Sequence, residues 1–120
     1  MLLNDFFKIT EIANAAEGFT ATVELNPAHS IFNGHFPGNP IVPGVCLVEM
    51  VKETLAHYLK RDLALMNSDN IKFLSIVNPL ENNVLKIDFK TRILDEGIFQ
   101  AKVIMYNGEE ICLKFDGKFK

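Results

Sequence analysis

The chain is predicted to fold as an α+β protein, an antiparallel sheet of about six strands wrapped around one central helix. Three observations on its 120 residues support this. Several short segments alternate apolar and polar residues with the period of a half-buried strand. One stretch, Val45 to about Lys60, holds strong helix formers with no internal Gly or Pro. Hairpin-type turns, "DEG" and "NG", separate the last strand-like segments.

Taken in order, residues 4 to 13 and 17 to 25 form a first hairpin around "NAAEG". In "FTATVEL", Phe19, Ala21, Val23 and Leu25 alternate with Thr20, Thr22 and Glu24. From Asn26 to Gly44 the Pro, Gly and Asn content disfavours regular structure, and a long ordered loop in a compact fold is usually functional. Pro43-Gly44 then opens the helix, about 24 Å long, with Lys60 and Arg61 where the C-terminal dipole favours cations. Val48, Val51, Leu55 and Leu59 trace an apolar stripe, while Val45, Cys46, Leu47 and Met50 make the first two turns apolar nearly all round. Four strands follow, at 71–77, 83–94, 98–106 and 109–119; in the second, Leu85, Ile87, Phe89, Thr91 and Ile93 alternate with charged or polar neighbours.

A helix apolar on more than one face is not covered by a single sheet. Burying each Val, Leu or Met stabilises by about 1.5–3 kcal/mol, so the open face favours a second subunit, and a dimer is expected.

The totals set further bounds. One domain, residues 1–120, is expected at this length, burying about two-thirds of the surface its unfolded chain would expose. Apolar residues are 48% and charged residues 22%, an ordinary globular balance, and no apolar run reaches the length of a membrane span. The start, "MLLNDFFKITEI", has no basic leader, long apolar region or small-residue cleavage site, which points to a cytoplasmic protein. Cys46 and Cys112 lie in apolar runs, without the paired spacing of a zinc site, and read as buried thiols. A net charge of −3 without a basic stripe argues against nucleic acid.

The chemistry concentrates in "NGHFPGNPIVPGVCLVEM", residues 33 to 50. Pro37, Pro40 and Pro43 fix φ and push Phe36, Asn39 and Val42 to extended conformations, so His35 sits on a rigid mount. A surface histidine in a proline-rich turn is the ordinary alternative. Glu49 falls in the second turn of the apolar helix, where desolvation would raise its pKa and suit it as a general acid. The competing explanation, pairing with a cation one turn on, is weakened because position i+4 is Glu53; Lys52 at i+3 would help only on a solvated face. Gly44 lies where helical N–H groups are free and attract a developing oxyanion, although Pro-Gly also simply turns the chain into the helix. A base, an acid and an oxyanion donor are the parts needed to remove water from a 3-hydroxy thioester, with no metal or organic cofactor.

The segment "GHFPGNPIVPGVCLVEM", Gly34 to Met50, resembles the active-site segment of the 3-hydroxyacyl-[acyl-carrier-protein] dehydratases of fatty-acid synthesis. These are hotdog-fold enzymes with the pattern H-F-P-G-x-P-x-x-P-G and a glutamate fourteen residues after the histidine, the spacing of His35 and Glu49. A weaker likeness continues through "IKFLSIVNPLENNVLKI". The resemblance implies a hotdog dimer, sometimes a trimer of dimers or a heterodimer with a related hotdog subunit. It implies His35 as base, Glu49 of the partner subunit as acid, Gly44 as oxyanion donor and Phe36, Gly38, Pro43 and Val45 as substrate contacts. It also implies an acyl tunnel at the dimer interface, touched by Phe32 and Phe36, and an acyl carrier protein bearing a 3-hydroxyacyl thioester as partner, with no cofactor.

Two departures bear on the substrate. Glu53 stands where the family usually has Gln, and Pro79-Leu80-Glu81 stands where it has Pro-Gly-Asp. They fit a specialised dehydratase, for example in polyketide-like or aryl polyene synthesis, as well as the fatty-acid enzyme. A hotdog thioesterase and a non-catalytic acyl-binding subunit are the competing functions. Lys60, Arg61, Lys114, Lys118 and Lys120 are candidates for docking an acidic carrier. His29 and His57 fall outside the motif and read as structural or solvent-facing.

Overall fold

The computed structural model describes residues 1–33, 40–95 and 97–120. In chain order the elements are β1 (Phe7–Ala15), β2 (Gly18–Leu25), a 3-10 turn (Ser30–Phe32), α1 (Gly44–Leu59), β3 (Leu65–Phe73), β4 (Val84–Asp95), β5 (Ile98–Asn107) and β6 (Glu110–Phe119). The strands form one six-stranded sheet in the order β1-β2-β4-β5-β6-β3, and every pairing is antiparallel. The predicted α+β design is thus present.

The alternation read in the sequence becomes cross-strand layers. Val23 lies opposite Leu85, Ala21 opposite Ile87, Ile87 opposite Met105, and Met105 opposite Leu113. All are fully buried in one core with Met50, Val51 and Leu55 of α1. Phe19 is sandwiched between Tyr58 of the helix and Phe89 of β4, with ring centroids 3.8 and 4.3 Å away and planes nearly parallel. The Tyr58 hydroxyl donates to Asn14 Oδ1 at 2.7 Å, fixing the end of α1 against the first hairpin. At Gly18 a Cβ would lie 1.9 Å from the Phe89 carbonyl oxygen, so only glycine lets β2 approach β4 here. Gly108 turns the β5–β6 hairpin at φ +66°, as the "NG" signal requires.

The helix ends where Lys60 takes the left-handed conformation, its N–H directed to Ala56 O and His57 O. Arg61 lies over the Phe99 ring, 5.1 Å from its centroid, and donates to Gly97 O. The chain then enters β3 through a reciprocal backbone pair between Ala64 and Lys120.

Three expectations need correction. The strand expected at 71–77 runs instead from Leu65 to Phe73, and nearly all its residues are exposed. It is held by the β6 ladder rather than by a buried face, so it carries no alternating pattern. Val45 is 76% exposed although the apolar N-terminal half of the helix reads as buried, because the single sheet covers one face and leaves open the other, the face for which a second subunit is expected. Ile93 continues the β4 alternation in sequence yet is 72% exposed, since it lies where the strands run past the core.

Candidate active site on helix α1

Pro43, extended at φ −60° and ψ 142°, delivers the chain into α1, and its carbonyl accepts the first intrahelical donors, Cys46 N–H and Leu47 N–H. The N–H groups of Gly44 and Val45 precede these donors and belong to the free set at the helix start. This end is fixed from outside as well: Val42 N–H donates to Val77 O at 3.0 Å. The Phe73 ring covers Gly44 closely enough that a Cβ there would meet it at 2.9 Å.

Glu49 projects from the second turn. It is half-buried rather than buried, its side chain 37% exposed, and Lys52 Nζ stands 3.4 Å from Oε1. The cation pairing that the sequence disfavoured is therefore formed, because this flank of α1 is left uncovered by the sheet. Even so, burial first, and then the hydrogen bond with Glu53, holds the Glu49 carboxyl above the ordinary carboxylate range, with Lys52 pulling the other way. Glu49, Lys52, Glu53, Leu3, His57 and Arg61 border an open groove of about 880 Å³.

Glu53, one turn on, is only 5% exposed. Leu2 N–H donates to both its oxygens, at 2.9 and 3.0 Å, and Leu3 N–H to Oε1 at 2.7 Å. Burial alone would raise this carboxyl, but the hydrogen bond with Glu49 and the Leu2 and Leu3 donors outweigh it and lower its pKa. The sequence marked Glu53 as the i+4 neighbour of Glu49 and as a departure from a family pattern. Its backbone partners were not legible, because an N–H donor has no side-chain signature.

His35, Phe36 and Gly38 lie outside the described residues, so the sequence expectation that His35 faces Glu49 stays an expectation. Phe32 is buried against Phe6, with ring centroids 5.6 Å apart. His29 is structural: Nδ1 accepts Ile31 N–H at 3.0 Å and Nε2 meets Asp5 Oδ2 at 3.0 Å. Both cysteines are free and buried, and burial pushes the Cys112 thiol up to about 11. Among the described residues no group of three or more His, Cys, Asp or Glu is placed to hold a metal ion.

One helix laid across a six-stranded antiparallel sheet defines a hotdog fold, shared with the solved structures it resembles. Within that class the chain belongs to the ApeI-like dehydratase family, whose profile matches residues 11–111. It is 31% identical over 119 residues to a 3-hydroxyacyl-[acyl-carrier-protein] dehydratase FabZ of Caldicellulosiruptor bescii, covering 89% of this chain and 82% of that one. Its match to the same enzyme of Caulobacter sp. (strain K31) is 29% over 90 residues, 68% of this chain and 54% of the relative, so the chain spans about half the length of that relative. The solved dehydratase heterocomplex ApeI:P from Xenorhabdus doucetiae shares the fold, with a TM-score of 0.69, 19% identity, and coverage of 92% of this chain and 95% of that one.

Proposed function

We propose that the chain is a hydro-lyase converting (3R)-3-hydroxyacyl thioesters to trans-2-enoyl thioesters. The observation that carries this reading is Glu49, its carboxyl raised from its ordinary value by burial at the edge of an open groove, one turn from a helix start with free N–H groups. His35 takes the proton from the carbon α to the thioester carbonyl. The Gly44 N–H stabilises the charge gathering on the carbonyl oxygen. Glu49 protonates the departing 3-hydroxyl, so one C–H and one C–O bond break, the C=C bond forms and water leaves. Pro43 and Val45 flank the oxyanion position, and Phe36 and Gly38 contact the acyl group.

The carrier is an acyl carrier protein, a reading supported by the names of the relatives. Of the cations considered for docking, Lys60, Arg61, Lys114 and Lys120 are exposed; Arg61 is engaged with Phe99 and Lys118 stands 3.4 Å from Asp69, so Lys60, Lys114 and Lys120 are the proposed set.

The working unit is a dimer. The free edge β3 offers unpaired backbone groups, and Phe73, Ile76 and Val45 are 54, 69 and 76% exposed, a surface that a second hotdog subunit would cover. In that arrangement Glu49 meets the partner subunit's histidine loop. The second subunit is another copy, or a related hotdog chain as the Xenorhabdus heterocomplex illustrates for its own components.

The test is enoyl formation from a 3-hydroxyacyl thioester. His35→Ala and Glu49→Gln should each lower turnover by about 10²–10⁴-fold. Undiminished turnover in both variants overturns the reading. Release of free thiol without enoyl product makes the chain a thioesterase, and carrier binding with no exchange of the α proton makes it a non-catalytic subunit.

A further inference from the structure

Glu49 and Glu53 stand one helical turn apart on α1 and border the same groove, and they are held in opposite ways. Glu53 is buried and takes three hydrogen bonds from the backbone of the N-terminal segment. Glu49 opens onto the groove. Two like charges at such a distance do not both ionise freely, and the pair titrates as a unit. Backbone donors favour the ionised form of the acid they touch, here Glu53. We propose that Glu53 is a positioning residue for the candidate acid: clamped as a carboxylate by Leu2 N–H and Leu3 N–H, it obliges the proton shared by the pair to sit on Glu49.

The surrounding charges leave this assignment in place. On α1, Lys52 stands 3.4 Å from Glu49 and favours its ionised form, whereas the Cys46 thiol adds no charge when protonated. From the N-terminal segment the amino group of Met1 favours the ionised form of Glu53. Lys60, Arg61 and Asp62 complete the charged rim of the groove, which His57 also lines. The directions of the two carboxyls agree with the geometry, Glu49 raised and Glu53 lowered. A glutamine at position 53 could keep its amide oxygen on the Leu2 and Leu3 donors, but it would present an N–H₂ to Glu49 and favour the ionised form of that carboxyl.

The use of that proton in catalysis rests on the dehydratase reading, but its location is a separate, measurable fact. In protein labelled with ¹³C at the glutamate carboxyls, the two resonances, assigned by difference with Glu49→Gln and Glu53→Gln, are followed against pH. Glu49 is expected to titrate above Glu53. Glu53→Gln should move the Glu49 titration to lower pH, and Leu2→Pro, which deletes the donor spanning both oxygens, should move the Glu53 titration upward. The pH at which thioester turnover falls should shift downward in Glu53→Gln with KM unchanged. Two carboxyls titrating together at ordinary values, or a Glu49 titration indifferent to position 53, overturn the proposal. Absence of enoyl formation by wild-type protein overturns the dehydratase reading instead, and the titration still decides where the proton resides.

Discussion

At the scale of single residues, Glu49 shows how far an amino-acid pattern reaches. Its place on the helix was readable from an acid among apolar neighbours. Its half-exposure and its contact with Lys52 were not, because they depend on which flank of α1 the sheet leaves open. The raised Glu49 carboxyl gives a signed expectation. A general acid works only while protonated, so dehydration should persist above the pH where an ordinary carboxyl has ionised. It should decline as pH rises through the Glu49 value, a limb visible in a pH profile of kcat. Gly18 supports a second residue-scale prediction. Because a Cβ there would meet the Phe89 carbonyl, Gly18→Ala should cost about 1–3 kcal/mol in urea denaturation, with no change in the midpoint expected if β2 and β4 were loosely packed.

Among elements, the strands that fill the core at alternate positions were legible, and β3, which does not, was misplaced. β2 and β4 to β6 each carry apolar residues at alternate positions that fill the core, so period two located them to within a residue or two. β3 is "LMNSDNIKF", exposed along its length and irregular in register at two places against β6. Backbone hydrogen bonds hold it, and these leave no mark on side-chain pattern, whereas "IKFLSIV", which overlaps only its last three residues, imitates a strand. The seating of α1 depends on the stack of Tyr58, Phe19 and Phe89. Tyr58→Phe, which deletes only the bond to Asn14, should destabilise by about 0.5–1.5 kcal/mol. Phe19→Ala, which empties the centre of the stack, should cost about 3–5 kcal/mol by the same denaturation measurement.

For the whole molecule, the apolar surface left over after folding was foreseen in kind from a helix with more than one apolar face. Its place was not foreseen: many of the exposed apolar residues fall at the helix start, along β3 and in the segment after it, with Leu65 and Met66 at one end of β3 and Phe73, Leu74 and Ile76 at and beyond the other. If this edge receives a second subunit, Met66→Asp should weaken self-association in sedimentation while leaving the circular-dichroism spectrum of the fold intact. Equal association in wild type and variant would place the contact elsewhere.

The central claim is that a proton acceptor from one subunit and a proton donor from another act on one thioester, and subunit mixing tests it most directly. His35→Ala and Glu49→Gln chains, each inactive alone, are unfolded together and refolded as a mixture. If the two groups come from different chains of a dimer, half of the mixed assembly's sites regain both, and activity should return to about a quarter of wild type. A mixture as inactive as its components, although shown to contain mixed dimers, would contradict the account.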